Sequence, residues 1–133
     1  MRNFFRGIVA MIVVTFLAVG STMPSDAAPR HRPAPSPVFD GLWSVSIFTL
    51  HGDCNRAYRY PLRIVGGYVL KADADSSYDV AGAVARSGAI GVTVSGGGQS
   101  AIGVGRLTRR AGRGVWHTAN NECRGNWTAE RRG

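Results

Sequence analysis

The sequence predicts a small all-β domain, an antiparallel meander of eight strands that closes into a barrel. Beyond Val38, glycine and other turn residues recur about every eight to twelve positions, and β-branched and aromatic residues alternate with polar ones between them. No stretch of this part carries apolar residues at helical spacing without an interrupting glycine. A two-sheet sandwich built from the same strands is the alternative architecture.

The alternation defines the strands one by one. The predicted strands are residues 42–50, 56–65, 68–71, 78–85, 89–95, 101–107, 114–118 and 124–131. In the first, Trp43 and Val45 share a face. In the second, Arg59 and Arg63 lie on the face opposite Leu62. Apolar residues on one side and charges on the other are typical of a half-buried strand.

Glycines occur both in the predicted turns and inside the predicted strands, where they favour closure of the sheet into a barrel. Gly66-Gly67 is a two-residue hairpin turn of the kind that needs positive φ. The glycines inside the strands, in VAGAVA and AIGVGRL, fit tight curvature or close packing where a Cβ would be in the way. Eight short strands joined in sequence can close and so remove the exposed edges, which favours the barrel.

All three tryptophans follow a glycine by two positions. They are Trp43, Trp116 and Trp127. Trp43 opens the first predicted strand and Trp127 lies in the last, and those strands are neighbours in a closed barrel. We therefore expect an aromatic cluster that plugs one end of the barrel. The alternative to this core role is an aromatic surface on which a ligand stacks.

Residues 1–27 have the pattern of a secretory signal peptide. Arg2 and Arg6 precede an apolar run at 7–19, and the small residues Ser25 and Ala27 favour cleavage after Ala27. An apolar run of about 13 residues is too short for a stable membrane span, although an uncleaved N-terminal anchor is the alternative.

The remainder divides into two parts. Residues 28–37 (APRHRPAPSP) predict a flexible proline-rich leader, and residues 38–133 form the predicted all-β domain. The predicted location is therefore exported, either periplasmic or extracellular.

The cysteine count agrees with export. Cys54 and Cys123 are the two cysteines of the chain, and they lie near opposite ends of the predicted domain. An even pair in a small exported domain predicts one disulfide. Two free buried thiols are the alternative.

The composition is strongly basic. The chain has a formal net charge of +8, which removal of the signal peptide, with Arg2, Arg6 and Asp26, lowers by one. Net charge bears on solubility and on acidic partners rather than on fold.

Arginines form two groups within the predicted domain. The residues are Arg56, Arg59 and Arg63 on the second strand, and Arg106, Arg109, Arg110 and Arg113 around the turn after the sixth strand. Guanidinium groups make fork-shaped contacts to phosphate and carboxylate. If Arg59 and Arg63 face outward, they form a strip with the turn group, which is a candidate polyanion-binding surface. Solvated faces that serve only solubility are the alternative.

The segment FDGLWSV at 39–45 is similar to the Gly-x-Trp start of lipocalin-like barrels. The resemblance implies a carrier of small ligands, and some related small exported barrels inhibit proteases. It also implies a basic partner for the tryptophan late in the chain, at Arg131 or Arg132. The chain is much shorter than a typical lipocalin.

A second resemblance covers nearly all of the predicted domain. The strings FDGLWSV, GDCNRAYRYPLRI, GRL, GVW and CRGNWTAERR resemble a family of short exported bacterial proteins without established function. Some members carry an automatic label of haem utilisation or adhesion. The resemblance supports an exported β architecture and supplies no catalytic residues.

No motif of the sequence predicts catalysis, a metal site or a cofactor. His31, His51 and His117 have no ligand spacing, and two disulfide-bonded cysteines cannot bind zinc. Tyr58 or Tyr60 could ligate haem iron, but their place in the alternation favours core packing. No serine lies in a nucleophile-elbow motif.

The sequence thus predicts a monomeric, non-enzymatic exported barrel that binds an anionic polysaccharide or another envelope polymer. Nucleic acid is not expected as a partner in the cell. The alternative is a lipocalin-like carrier of small ligands or a protease inhibitor that uses the proline-rich leader.

Overall fold

The computed structural model describes residues 34–133 and shows an all-β fold. Eight antiparallel strands pair each with the next, and the last pairs with the first, so the sheet is a closed barrel. The structure confirms the predicted barrel and not the alternative two-sheet sandwich. The predicted signal peptide, and residues 28–33 of the predicted leader, lie outside the described residues.

A 3₁₀ turn (Pro37–Phe39) precedes the first strand. The strands are β1 (Gly41–His51), β2 (Ala57–Val65), β3 (Tyr68–Lys71), β4 (Asp79–Val84), β5 (Ala89–Gly96), β6 (Gln99–Leu107), β7 (Ala111–Thr118) and β8 (Arg124–Arg131). The largest difference from the prediction is at β7, which begins at Ala111 rather than Gly114 because Gly112 and Arg113 also pair with β8. In the described part of the chain, no helix is long and apolar enough to cross a membrane.

The two ends of the barrel differ. We call one end the terminal end, because it carries the 3₁₀ turn and residue 133; the β2–β3, β4–β5 and β6–β7 turns also lie there. The four other connections lie at the opposite end, which we call the disulfide end. At the disulfide end, Cys54 of the β1–β2 loop is bonded to Cys123 of the β7–β8 loop, with the Cα atoms 6.2 Å apart. Because β1 pairs with β8, the predicted disulfide fastens the seam where the sheet closes.

Residues just before the predicted domain boundary at Val38 also lie against the barrel. Pro35 forms a β-bridge with Ala85. The N–H of Ser36 donates to the carbonyl of Val84 at 2.8 Å, and Ser36 is buried. The segment attached to the barrel therefore includes the last three residues of the predicted leader.

The three tryptophans belong to the core. Trp43, Trp116 and Trp127 are only 2%, 8% and 8% exposed, so none offers a surface on which a ligand stacks. Their indole N–H groups donate to the carbonyl oxygens of Phe39 (2.9 Å), Phe48 (3.1 Å) and Val115 (3.2 Å), respectively. Each ring thereby has the polar partner that a buried indole requires.

The tryptophans do not gather at one end of the barrel, as the sequence led us to expect. The register places Trp43 opposite Arg131 of β8 near the terminal end, whereas Trp127 of β8 lies opposite Ile47. Trp116 lies further still toward the disulfide end. The predicted end cluster is therefore a column that follows the barrel axis, because four residues of β1 separate the levels of Trp43 and Trp127.

Glycines on neighbouring strands make room for two of these indoles. In the β7–β8 ladder, Gly114 lies opposite Trp127, and Trp116 lies opposite Gly125. A methyl group at Gly114 would lie 2.6 Å from the Trp127 ring, and one at Gly125 would collide with the carbonyl of Phe48 that accepts the Trp116 N–H. Gly114 thus makes room for the Trp127 ring, whereas Gly125 lets the β1 backbone that accepts the Trp116 N–H come close to β8.

We expect Gly114→Ala to lower the free energy of unfolding by about 1–3 kcal/mol, because the added methyl group overpacks the core beside Trp127. Gly91→Ala is the matched control, since Gly91 has ordinary φ and no atom within 4 Å of an added Cβ. For this control, the free energy of unfolding should rise by about 0.4–1 kcal/mol, because alanine lowers the conformational entropy of the unfolded chain. Denaturant unfolding measures both, and equal effects would contradict the packing argument.

Reduction of the Cys54–Cys123 bond should lower the free energy of unfolding by about 4 kcal/mol, because the bond closes a long loop in the unfolded chain. The measurement is denaturant unfolding with and without reductant. The double variant C54S/C123S is the control, since reductant should leave its transition where it is. An unchanged midpoint for the native chain would argue against this stabilisation.

Candidate functional site

Arg131 closes the terminal end of the barrel. Its guanidinium carbon lies 5.9 Å from the ring centroid of Trp43, within the range of a cation–π contact. The same group donates to the carbonyl of Asp40, to that of Arg109 at 3.1 Å and to that of Val38 at 3.5 Å. One side chain therefore joins the segment just before β1 to the β6–β7 turn.

Three of the predicted arginines share one outward row that crosses five strands. Arg59 of β2 lies opposite Ser46 of β1, Ser46 lies opposite Thr128 of β8, Thr128 lies opposite Arg113 of β7, and Arg113 lies opposite Arg106 of β6. All three arginines are exposed, and the side chains between them are short. We call these five residues the basic row. At the strand spacing of a sheet, the row spans roughly 19 Å.

The other predicted arginines lie outside this row. Arg109 and Arg110 occupy the β6–β7 turn at the terminal end, close to Arg106 and Arg113 of the same hairpin. Arg63 faces outward on β2 near the terminal end, as predicted, whereas Arg56 lies before β2 at the disulfide end. The fold therefore unites the turn group with Arg59 but separates Arg56 from it.

Arg106 and Arg113 form a like-charge pair. They are direct neighbours in the β6–β7 ladder, where opposite Cβ atoms are about 5 Å apart and like charges destabilise the sheet. In the described part of the chain, no carboxylate lies within 4.0 Å of either guanidinium group, since the ion pairs there are Lys71–Asp79 and Arg132–Glu130. An anion bound from solution would relieve this repulsion.

Acidic side chains lie mostly at the opposite end. Residues 53, 73, 75, 79 and 122 belong to the disulfide end. Asp40, at the terminal end, accepts from the N–H groups of Gly66 and Gly67 at 2.7 and 2.9 Å. Glu130 pairs with Arg132 at 3.2 Å. The arginines of the β6–β7 hairpin are thus exposed cations on the basic half of a polarised barrel.

Two surface clefts lie at the two ends. The cleft at the disulfide end has about 260 Å³ and is lined by Thr49, Leu50, Gly52, Asp53, Cys54 and Arg56. The cleft at the terminal end has about 360 Å³ and is lined by Arg109, Arg110, Arg131 and Gly133. The second cleft adjoins the basic row and offers two further arginines to an anion.

Tyrosines surround the mouth of the barrel at the disulfide end. Tyr58 and Tyr78 are 43% and 49% exposed, so Tyr58 is not the core residue that its place in the alternation predicts. The Tyr60 hydroxyl lies 3.1 Å from that of Ser76 in the β3–β4 loop. Burial, and then the neighbouring Tyr78 and Tyr60, raises the pKa of Tyr58 above its ordinary value of 10.0. The Tyr58 phenol therefore stays neutral at physiological pH.

No protein family, curated protein or solved structure matches this chain. Within residues 34–133, no three histidine, cysteine or acidic side chains come together as metal ligands. His51 and His117, two of the histidines considered for haem, are exposed on the barrel surface. His31 lies outside the described residues. The arrangement of arginines therefore provides the candidate site.

Sequence reasoning missed a row of apolar side chains beside the basic row. Phe48, Val104 and Val115 are 40%, 50% and 54% exposed on the outer surface. The signal was present, because Phe48 stands in the outward phase of β1 together with Ser44 and Ser46. Their union into one row depends on strand register, which the sequence does not show.

Arg131→Met should lower the free energy of unfolding by about 1.5–3 kcal/mol, because it removes a charged donor from the partly buried carbonyl oxygen of Asp40 and keeps the apolar stem. Arg132→Met is the matched control. Arg132 makes an exposed pair with Glu130, worth at most about 1 kcal/mol. Thermal or denaturant unfolding compares the two variants, and a larger effect at Arg132 would refute the closing role of Arg131.

Proposed function

We propose that this protein is a non-enzymatic, exported binding protein that holds an anionic polymer of the cell envelope or its surroundings. The binding surface is the basic row together with Arg109 and Arg110 of the β6–β7 turn. Acidic polysaccharide is the polymer class that an exported protein meets first. The chain acts as a monomer in this proposal, because one barrel carries the whole surface.

The like-charge pair of Arg106 and Arg113 carries the proposal. Two directly opposed arginines without a carboxylate partner raise the free energy of the isolated fold, and a bound anion converts that cost into binding free energy. The row continues to Arg59 over short side chains, so a chain of regularly spaced anionic groups can follow it. A small anion would use only one part of this length.

The chemistry of the row favours binding rather than catalysis. Guanidinium groups stay charged at any physiological pH and donate hydrogen bonds without giving up a proton. They therefore hold phosphate, sulfate or carboxylate but do not serve as general acids or bases. The disulfide favours an oxidising compartment, in agreement with the predicted signal peptide.

The alternative, a lipocalin-like carrier or inhibitor, draws support from one observation. Arg131 stacks on Trp43 beside the 3₁₀ turn, as the resemblance implies. A carrier would need interior space, which the tryptophans and the residues around them occupy. An inhibitor would use the leader, so deleting residues 29–33 should abolish inhibition of a protease and leave polymer binding intact.

R106Q/R113Q should weaken binding to heparin, a soluble model polyanion. Two lost phosphate- or sulfate-type contacts should reduce the slope of log affinity against log salt by roughly two. R56Q/K71Q is the matched control, because it removes the same charge at the disulfide end and away from the outer face of β6, β7 and β8. Titration of the purified protein with heparin at several salt concentrations measures affinity and slope together.

Equal losses in the two double variants would show that net charge alone governs heparin binding, and would overturn the proposed site. Apolar ligand capture has a different signature. It should quench tryptophan fluorescence with little dependence on salt, and such a result without heparin binding would favour the carrier.

A further inference from the structure

The outer surface of β6, β7, β8 and β1 carries an apolar row between the basic row and a row that contains Arg124. Val104 of β6 lies opposite Val115 of β7, Val115 lies opposite Asn126 of β8, and Asn126 lies opposite Phe48 of β1. We call Phe48, Val104 and Val115 the apolar row. It lies two residues along each strand from the basic row, which is a distance of about 7 Å.

The other neighbour of the apolar row is also basic. Ile102 lies opposite His117, His117 lies opposite Arg124, and Arg124 lies opposite His51. His51, His117 and Arg124 are exposed. The apolar row therefore has arginines on both long sides, with Arg106 and Arg113 toward the terminal end and Arg124 toward the disulfide end.

No outward position of these three rows on the four strands carries an acidic side chain. Their members are Ser46, Phe48 and His51 on β1, Arg124, Asn126 and Thr128 on β8, Arg113, Val115 and His117 on β7, and Ile102, Val104 and Arg106 on β6. A soluble polyanion has no use for the exposed apolar side chains at the centre. A bilayer with anionic headgroups uses both kinds of residue, since apolar side chains enter the acyl boundary and arginines remain at the phosphates.

We propose that this face docks on the surface of an anionic lipid bilayer, with Phe48 and the two valines inserted below the headgroups and the flanking arginines bound to phosphate. The proposal extends the proposed function, because Arg106 and Arg113 serve both. The protein would then hold an acidic polymer or a lipid headgroup through the same guanidinium chemistry, and its apolar row would select the membrane surface.

The barrel contains a second apolar patch that serves as an internal control. Val65, Tyr68 and Leu70 of β2 and β3 are 51%, 56% and 44% exposed. Their neighbours in the ladder are Arg63 and the small residue Ala83, so they lack cationic rows on both sides. Exposed apolar area alone would make the two patches equivalent, whereas the proposal requires the first to bind.

The first experiment is sedimentation of the purified protein with vesicles of phosphatidylglycerol and phosphatidylcholine, compared with pure phosphatidylcholine. We expect partition only onto the anionic vesicles. F48T/V104T/V115T, which keeps good strand formers, should reduce partition at least about tenfold and leave heparin affinity unchanged. R106Q/R113Q should reduce partition about 25-fold, at roughly fivefold per arginine. V65T/Y68T/L70T should bind like the native chain.

The second experiment reports which face meets the lipid. F48W places a new tryptophan in the apolar row, and vesicles with brominated acyl chains should quench its fluorescence. L70W places a new tryptophan in the second patch, and that tryptophan should not be quenched, so this variant should show only the quenching of the buried native indoles. Thermal unfolding verifies that both variants fold.

Each failure has a distinct meaning. Heparin binding without partition onto anionic vesicles would overturn the lipid proposal and leave the proposed function standing, whereas loss of both would overturn both. Equal binding to phosphatidylcholine, equal quenching of F48W and L70W, or a parallel loss of heparin affinity in F48T/V104T/V115T would each overturn the lipid proposal.

Discussion

The packing of the Trp127 indole against glycine backbone is the interaction on which the rest of the barrel depends. The interior of an eight-stranded barrel can be filled by side chains or hold one small ligand, and here three indoles, the largest of the side chains, occupy it. Gly114 and Gly105 supply the space, since a methyl group at either would collide with the ring. Gly125, opposite Trp116 in the ladder, instead lets the Phe48 backbone approach β8 and accept the Trp116 N–H. These rings and the apolar side chains around them form the core of the barrel.

The seam between β1 and β8 is fastened at both ends by late residues of the chain. At the terminal end, Arg131 reaches the carbonyl of Asp40 and stacks on Trp43. At the disulfide end, Cys54 and Cys123 join the adjoining loops. A meander has its first and last strands far apart in sequence, so closing it costs the most chain entropy at this seam. The disulfide and the contacts of Arg131 therefore lie at the seam where the entropy cost of closure is greatest.

A stable interior lets the surface carry unfavourable charge. Arg106 and Arg113 repel each other across the β6–β7 ladder, and the acidic groups of the described residues lie at the disulfide end or are engaged elsewhere. The same outer surface exposes Phe48 beside this pair. The unpaired arginines and the exposed apolar side chains both lower the stability of the isolated fold. A partner with an anionic surface and an apolar interior would compensate both costs.

The sequence by itself determined the strands, the outward direction of Arg59 and Arg63 and the pairing of Cys54 with Cys123. Alternation and glycine turns act over a few residues, and a lone pair of cysteines has one partner each. Only the tertiary structure decided the levels of the tryptophans, the alignment of Arg59 and Arg113 in one row with Ser46 and Thr128 between them, and the apolar row. These features depend on register between strands remote in sequence, where a shift of two residues keeps every side chain on its face but changes every neighbour.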